Sequence, residues 1–216
     1  KIYLKRNEDK RIRNGHLWIF SNEVSEFKTD IENGELVELY DSRQNFLGEG
    51  FFNKNSLITV RILSRSKIIN LGKYFEDKIK AAYYLRKQLY PERNSFRLVF
   101  SESDFLPGLI IDKYNDTYVL QIYSAGMQRN IDITADILKN EFHAKNIFTK
   151  NESHFRKLEF LPEENQIFLG EKGEEIIDDG SIKYKINFEK GHKTGFYYDQ
   201  SDNRFFLEKI AKDKKV

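Results

Sequence analysis

Three stretches of this chain carry residue types whose spacing could do chemistry. The most specific is GHKTGFYYDQSDNR, Gly191 to Arg204, which follows a strand-like alternation and opens a helical pattern. A turn at that place lies beside the unpaired backbone amides of a helix start, which can hold polar ligand groups. Gly195 permits close approach of a ligand to the backbone, Phe196 and Tyr197 offer flat walls for an adenine or a flipped base, and Asp199 has the chemistry of an N-cap. The same residues also suit a hydrophobic hinge. The second stretch is NGHLWIFSNEV, Asn14 to Val24, where His16, Trp18 and Phe20 stand beside a basic run and unpaired bases could stack on them. On residue chemistry alone, Trp18 and Phe20 are expected in a small apolar core. For Arg6, Arg11, Arg13 and His16 a solvated face and an RNA face fit equally well. The third, ESDFLPGLIIDKY from Glu102 to Tyr114, sets carboxylates about a Pro-Gly turn. Acid and base catalysis needs two carboxylates in different surroundings, whereas a hairpin whose acids cap the turn is the commoner arrangement.

The elements that must position these residues are legible from periodicity. The first ~65 residues read as short strands between glycine turns, as in GELVELYD and SLITVRIL, the pattern of a small barrel or sandwich. After Lys67 the period changes. Leu71, Phe75, Ile79, Ala82, Leu85 and Leu89 form one apolar stripe on a helix that ends before Pro91. FRLVF, GLIID, TYVLQIY and NIFTK read as strands, and Ile131, Ala135, Leu138 and Phe142 mark a second amphipathic helix. Ile182, Tyr184, Ile186 and Phe188 alternate with polar residues as a half-buried strand.

Composition excludes several classes. Apolar content of 39% and charged content of 32% over 216 residues fit a globular chain of one large or two small domains. No apolar run is long enough for a membrane-spanning helix, no signal-peptide core is present, and a cytoplasmic location is expected. With no cysteine and four scattered histidines, neither a disulfide, a thiolate metal site nor any other metal site is expected, and no cysteine nucleophile lies within these residues. The net charge of +2 is too mild to argue for nucleic acid by itself. Its distribution says more, because Lys1, Lys5, Arg6, Lys10, Arg11 and Arg13 face only Glu8 and Asp9 in the first thirteen residues.

GHLWIF followed by GELVELYD and FLGEGFF resembles the PUA domain of the class I AdoMet-dependent 23S rRNA (cytosine-5) methyltransferases, and the resemblance runs over all 216 residues. It implies an α+β chain with a PUA-like β-barrel RNA-binding domain at 1–68, an α+β middle domain at 69–190, and a connecting segment with a helix at 191–216. A Rossmann-like AdoMet domain is expected to follow and to be absent from this chain, with Lys215-Val216 as the start of its first strand. The nucleophilic cysteine is then expected beyond Val216, and these residues by themselves are expected to be inactive. The resemblance implies S-adenosyl-L-methionine as cofactor, bordered by Thr194, Gly195, Phe196 and Gln200, and rRNA as partner, contacted through Lys5, Arg6, Arg11, Arg13 and His16. Ser201 and Asp202 stand where that family usually carries an arginine after the glutamine. A homodimer is left open, no membrane partner is expected, and a non-catalytic RNA-binding module or a methyltransferase of another base are the alternative readings.

Overall fold

The structure is a computed structural model that describes residues 1–27, 30–179 and 182–211; the expected strand start at Lys215-Val216 lies outside the described residues. Alternation of period two builds the first layer. Strands β1 (Ile2–Leu4), β2 (Trp18–Phe20), β3 (Val24–Phe27), β4 (Leu36–Tyr40), β5 (Phe46–Phe52) and β6 (Ile58–Ser64), with the one-turn helix α1 (Lys10–Arg13), form a sheet of order β2-β6-β5-β4-β1-β3. All its pairs are antiparallel except β1 with β4. Ile2, Leu4, Ile12, Ile19, Leu39, Phe52, Val60 and Ile62 fill its core. In β2 it is Ile19 that points inward, so its neighbours Trp18 and Phe20 turn outward and are half-buried rather than core. No pairing of β2 with β3 closes the expected barrel among the described residues.

The second layer begins with α2 (Leu71–Leu89), whose first turn is capped by the Asn70 side chain accepting from Lys73 N at 2.9 Å. Strands β7 (Ser95–Phe100), β8 (Leu109–Tyr114), β9 (Thr117–Ile122), β10 (Asn146–Thr149) and β11 (Ile167–Leu169) give the order β11-β10-β9-β8-β7, antiparallel except β9 with β10. Helices α3 (Ala125–Arg129) and α4 (Ile131–Glu141) connect β9 to β10, and α5 (Ser153–Leu158) connects β10 to β11. Phe75, Ile79, Ile131 and Leu138 of α2 and α4 join Leu98, Ile111, Tyr118, Leu120 and Ile122 in one core. The stripe on α2 outruns the sheet, leaving Leu85 and Leu89 exposed. A two-stranded hairpin, β12 (Glu174–Asp178) and β13 (Lys183–Asn187), covers part of the opposite face. There Ile177, Ile186 and Phe188 pack on Tyr114, Val119 and Phe148. Strand β9 is therefore buried on both sides, which explains its continuous apolar run. Helix α6 (Ser201–Ala211) ends the described residues.

The first layer and the second are joined through a shared core. Phe51 and Leu63 of the first sheet belong to the core of the second, and a Cβ built on Gly126 of α3 would fall 1.9 Å from the Phe51 ring. Burying a phenylalanine contributes about 1.5 to 3 kcal/mol, so this contact ties the layers together. A buried polar seam reinforces it: Glu159 accepts from Asn53, from Ser56 Oγ at 2.7 Å and from Arg61 Nη2 at 2.7 Å.

Candidate functional site

The segment Gly191 to Arg204 lies on the hairpin-covered face of the second sheet, where Phe196 and Tyr198 pack against the apolar cluster. Its turn is closed by Gly191 N to Asn187 O and Gly195 N to His192 O, both 2.9 Å. Gly195 adopts φ +136°, and a Cβ there would meet Ile186 Cγ2 at 2.9 Å, so the position requires glycine for both conformation and space. Thr194 is fully buried and donates from Oγ1 to Asp112 Oδ2 at 2.5 Å, with Tyr114 Oη 3.0 Å away. Asp112, at the end of the Glu102–Tyr114 motif, is also fully buried and receives Arg97 Nε at 2.8 Å and Nη2 at 2.9 Å. Burial works against the Arg97 charge, but the hydrogen bond and charge of Asp112 outweigh it and raise the guanidinium pKa. Burial pushes the Tyr114 hydroxyl up, and the Asp112 charge adds to that. Two motifs distant in the chain thus meet at one carboxylate.

An aromatic stack continues from this anchor. Phe196 lies between Tyr184 at 5.0 Å and Tyr198 at 5.4 Å, and the Arg204 guanidinium sits 4.4 Å from its ring. Arg204 is held by Asp179, which also accepts from Ser201 Oγ at 3.2 Å. Tyr198 donates to Lys113 O at 2.8 Å, and the partly buried Lys150 ammonium donates to Gly191 O. Asp199 lies inside the 3-10 turn Tyr198–Gln200, and α6 starts at Ser201. Of the four residues expected at a cofactor, Thr194, Gly195 and Phe196 are taken up in anchoring the turn. Gln200 faces solvent and accepts from Asn203 at 2.7 Å, next to the exposed Tyr197, over which Lys193 lies at 4.5 Å.

The basic N-terminal residues are less uniform than their sequence implied. Arg11 is bound to both oxygens of Glu23 and stacks on Phe20 at 5.1 Å. Arg13 bridges Asp9 at 2.5 Å and Asp41 at 2.8 Å. His16 Nδ1 accepts from Trp18 N at 3.1 Å. Lys5 donates to Asn22 O at 2.8 Å, and Arg6 is exposed with no ion pair among the described residues. Trp18 donates from Nε1 to Glu102 at 2.7 Å across the junction of the layers, under Arg61. Glu102 therefore serves the junction and Asp112 the opposite face, so the two do not form an acid and base pair. Among the described residues no group of His, Cys, Asp and Glu could hold a metal ion, and no helix is long and apolar enough to cross a membrane. Asp112 and Asp179 went unrecognised as anchors because an acid near the end of a strand gives no signal until its arginine is placed.

Residues 2–65 match the family model of a PUA-like domain. Ribosomal RNA large subunit methyltransferase I of Aliivibrio fischeri (strain MJ11) is 36% identical over 221 residues, covering 100% of this chain and 56% of that protein. Its counterpart in Vibrio cholerae serotype O1 (strain ATCC 39315 / El Tor Inaba N16961) is 34% identical, with 100% and 55% covered. Among solved structures, two chains described as putative methyltransferases share the fold at 18% identity and 95% coverage of this chain. One is SAM-dependent, from Streptococcus mutans, with a TM-score of 0.76 and 53% of its chain covered; the other, complexed with SAH, has a TM-score of 0.77 and 52% covered. These matches overturn the expected fold class, which set the methyltransferase outside the chain. The likeness covers 95% of this chain, not the PUA-like part alone, and about half of each of those chains. The chain spans about half the length of the curated relatives it matches. Residues 2–65 thus match a PUA-like domain, and from end to end the chain is similar to ribosomal RNA large subunit methyltransferases.

Proposed function

We propose that this chain works as part of an AdoMet-dependent methyltransferase that makes 5-methylcytosine in large-subunit ribosomal RNA. The observation that carries the reading is the similarity along the entire chain to proteins named for methylating that RNA. The PUA-like layer is its RNA-binding face, with Lys5, Arg6, Arg13 and His16 near the contact and Arg11 drawn away from it by Glu23. The Gly191 to Arg204 turn borders the cofactor: Thr194, Gly195 and Phe196 fix its position, and Gln200 presents a polar edge beside the flat face of Tyr197. These residues suit one wall of an adenosine site. When bound, AdoMet supplies an electrophilic sulfonium methyl group.

The cytosine-5 assignment has a chemical requirement. C5 becomes nucleophilic only when a thiolate adds to C6; after methyl transfer a base must remove the C5 proton, and the thiolate then leaves C6 to restore the ring. No cysteine is present among these 216 residues, so their part in that reaction is to bind and position RNA and to shape the site. The target base must leave its stack to be reached. The reading is tested by equilibrium binding of this chain to deproteinised large-subunit rRNA, with small-subunit rRNA and duplex DNA as competitors. Preferential retention of large-subunit rRNA is expected; equal competition by all three would refute rRNA as the partner.

A further inference from the structure

We infer that the phosphodiester backbone of the RNA is held in the groove between α1 and the β4–β5 turn, with Arg6, Lys10 and Arg43 as its cations. The inference rests on the RNA reading above and assigns it a place. The groove measures about 640 Å³ and continues past Arg6 and Ser42 into a second depression of about 540 Å³ at Lys5. Together the two are lined by five cations, Lys5, Arg6, Lys10, Arg13 and Arg43, against two carboxylates, Asp9 and Asp41. That local charge of +3 exceeds the +2 of the whole chain, leaving the remainder at −1. An anion approaching this protein therefore meets its positive field here.

Pairing within the groove decides which cations are available. Arg13 lies between Asp9 and Asp41 and is paired with both, offsetting one of their two charges. Asp41 has no capacity left over, since it also accepts from Arg43 N at 2.8 Å and from Asn45 N and Nδ2 at 2.9 Å each. Those bonds make the turn rigid and present Arg43 from a fixed base. Burial disfavours the Asp41 charge, but the hydrogen bonds and Arg13 prevail and hold its pKa low, so the turn keeps this shape at neutral pH. Arg6, Lys10 and Arg43 are exposed and form no ion pair among the described residues. By contrast Arg11, equally basic in sequence, is committed to Glu23. A groove with free cations and, between α1 and the β4–β5 turn, a lining of polar residues fits a chain of phosphates.

The test measures binding of deproteinised large-subunit rRNA across a salt series for wild type, Arg6→Ala/Lys10→Ala/Arg43→Ala, Arg11→Gln and Asp9→Asn. The triple variant should bind more than tenfold more weakly at about 0.1 M salt, and its log–log salt slope should fall by about two to three, at roughly 0.7 to 0.9 per phosphate contact. Arg11→Gln should match wild type. Asp9→Asn, which removes one of the two carboxylates of the groove and leaves Arg13 on Asp41, should bind more tightly. All five positions are exposed or half-exposed, and unchanged melting curves establish that each variant is folded. A triple variant that binds like wild type, or Arg11→Gln losing as much as the triple variant, overturns the groove. Failure of wild type to bind rRNA at any salt overturns instead the RNA reading on which it rests.

Discussion

Replacing Thr194 by valine keeps volume and shape and removes one hydroxyl. That hydroxyl donates to a carboxylate with no solvent access and lies 3.0 Å from the buried Tyr114 hydroxyl. Asp112 retains both bonds from Arg97, so the charge stays paired and the loss is one charge-assisted hydrogen bond with a weakened partner at Tyr114. Such a loss costs about 2 to 3 kcal/mol. Because 1.4 kcal/mol is about tenfold in an equilibrium, the turn should open roughly 30- to 150-fold more often. Thr194→Ser keeps the hydroxyl and loses a methyl group, a cost of about 1 kcal/mol. The order of damage, valine above serine, distinguishes a hydrogen-bonded anchor from an apolar plug, for which serine would be worse. Hydrogen exchange at the amides of Gly191 and Gly195, with trypsin cleavage at the exposed Lys190 and Lys193, reads the opening directly. Protection equal to wild type in Thr194→Val, or a larger loss in Thr194→Ser, would refute the anchor.

Gly195→Ala should destabilise the same turn by about 1 to 3 kcal/mol, since φ +136° is strained for any L side chain and the new Cβ presses on Ile186; differential exchange at Gly191 checks it. Arg61→Ala leaves Glu159 buried with only neutral partners, at a cost of about 3 kcal/mol, whereas Arg61→Met with Glu159→Gln should recover most of it. Urea unfolding followed by emission of Trp18, the only tryptophan and itself bound across this junction to Glu102, measures both. Burial raises the hydroxyl pKa of Tyr74, Tyr114, Tyr118, Tyr123 and Tyr198. A group raised in the folded state contributes its full stability below its unfolded pKa, here about 10, and loses it as pH rises further. Burial lowers the ammonium pKa of Lys113 and Lys150, whose opposite effect is smaller in number. Stability should therefore fall above about pH 10, and at least these five of the twelve tyrosines should ionise only on unfolding, as followed by tyrosinate absorbance.

Elements with one strong period were legible in the sequence, and contacts between distant segments were not. The stripe from Leu71 to Ala82 and the alternation from Ile182 to Phe188 are local properties of the chain. The inward turn of Ile19, which sends Trp18 and Phe20 outward, depends on how β2 registers with β6. Three short apolar residues in a row leave that choice open. The Gly191 to Arg204 motif was visible from its glycines and aromatics, but its role as an anchored turn depends on Asp112 and Asp179, some 80 and 20 residues away. The basic run at the N-terminus reads as one patch in sequence; only the positions of Glu23, Asp9 and Asp41 divide it into committed and free cations. Arg43 carried no signal at all, because a single arginine in a polar turn is the commonest kind of surface residue.

In the proposed reaction, the enzyme containing this chain places a methyl group on C5 of a cytosine in large-subunit ribosomal RNA. Bisulfite sequencing of that RNA, from cells with the encoding gene intact, deleted and restored, tests it most directly. Loss of one 5-methylcytosine on deletion and its return on restoration are expected. An unchanged set of 5-methylcytosines in the deleted strain would contradict the claim.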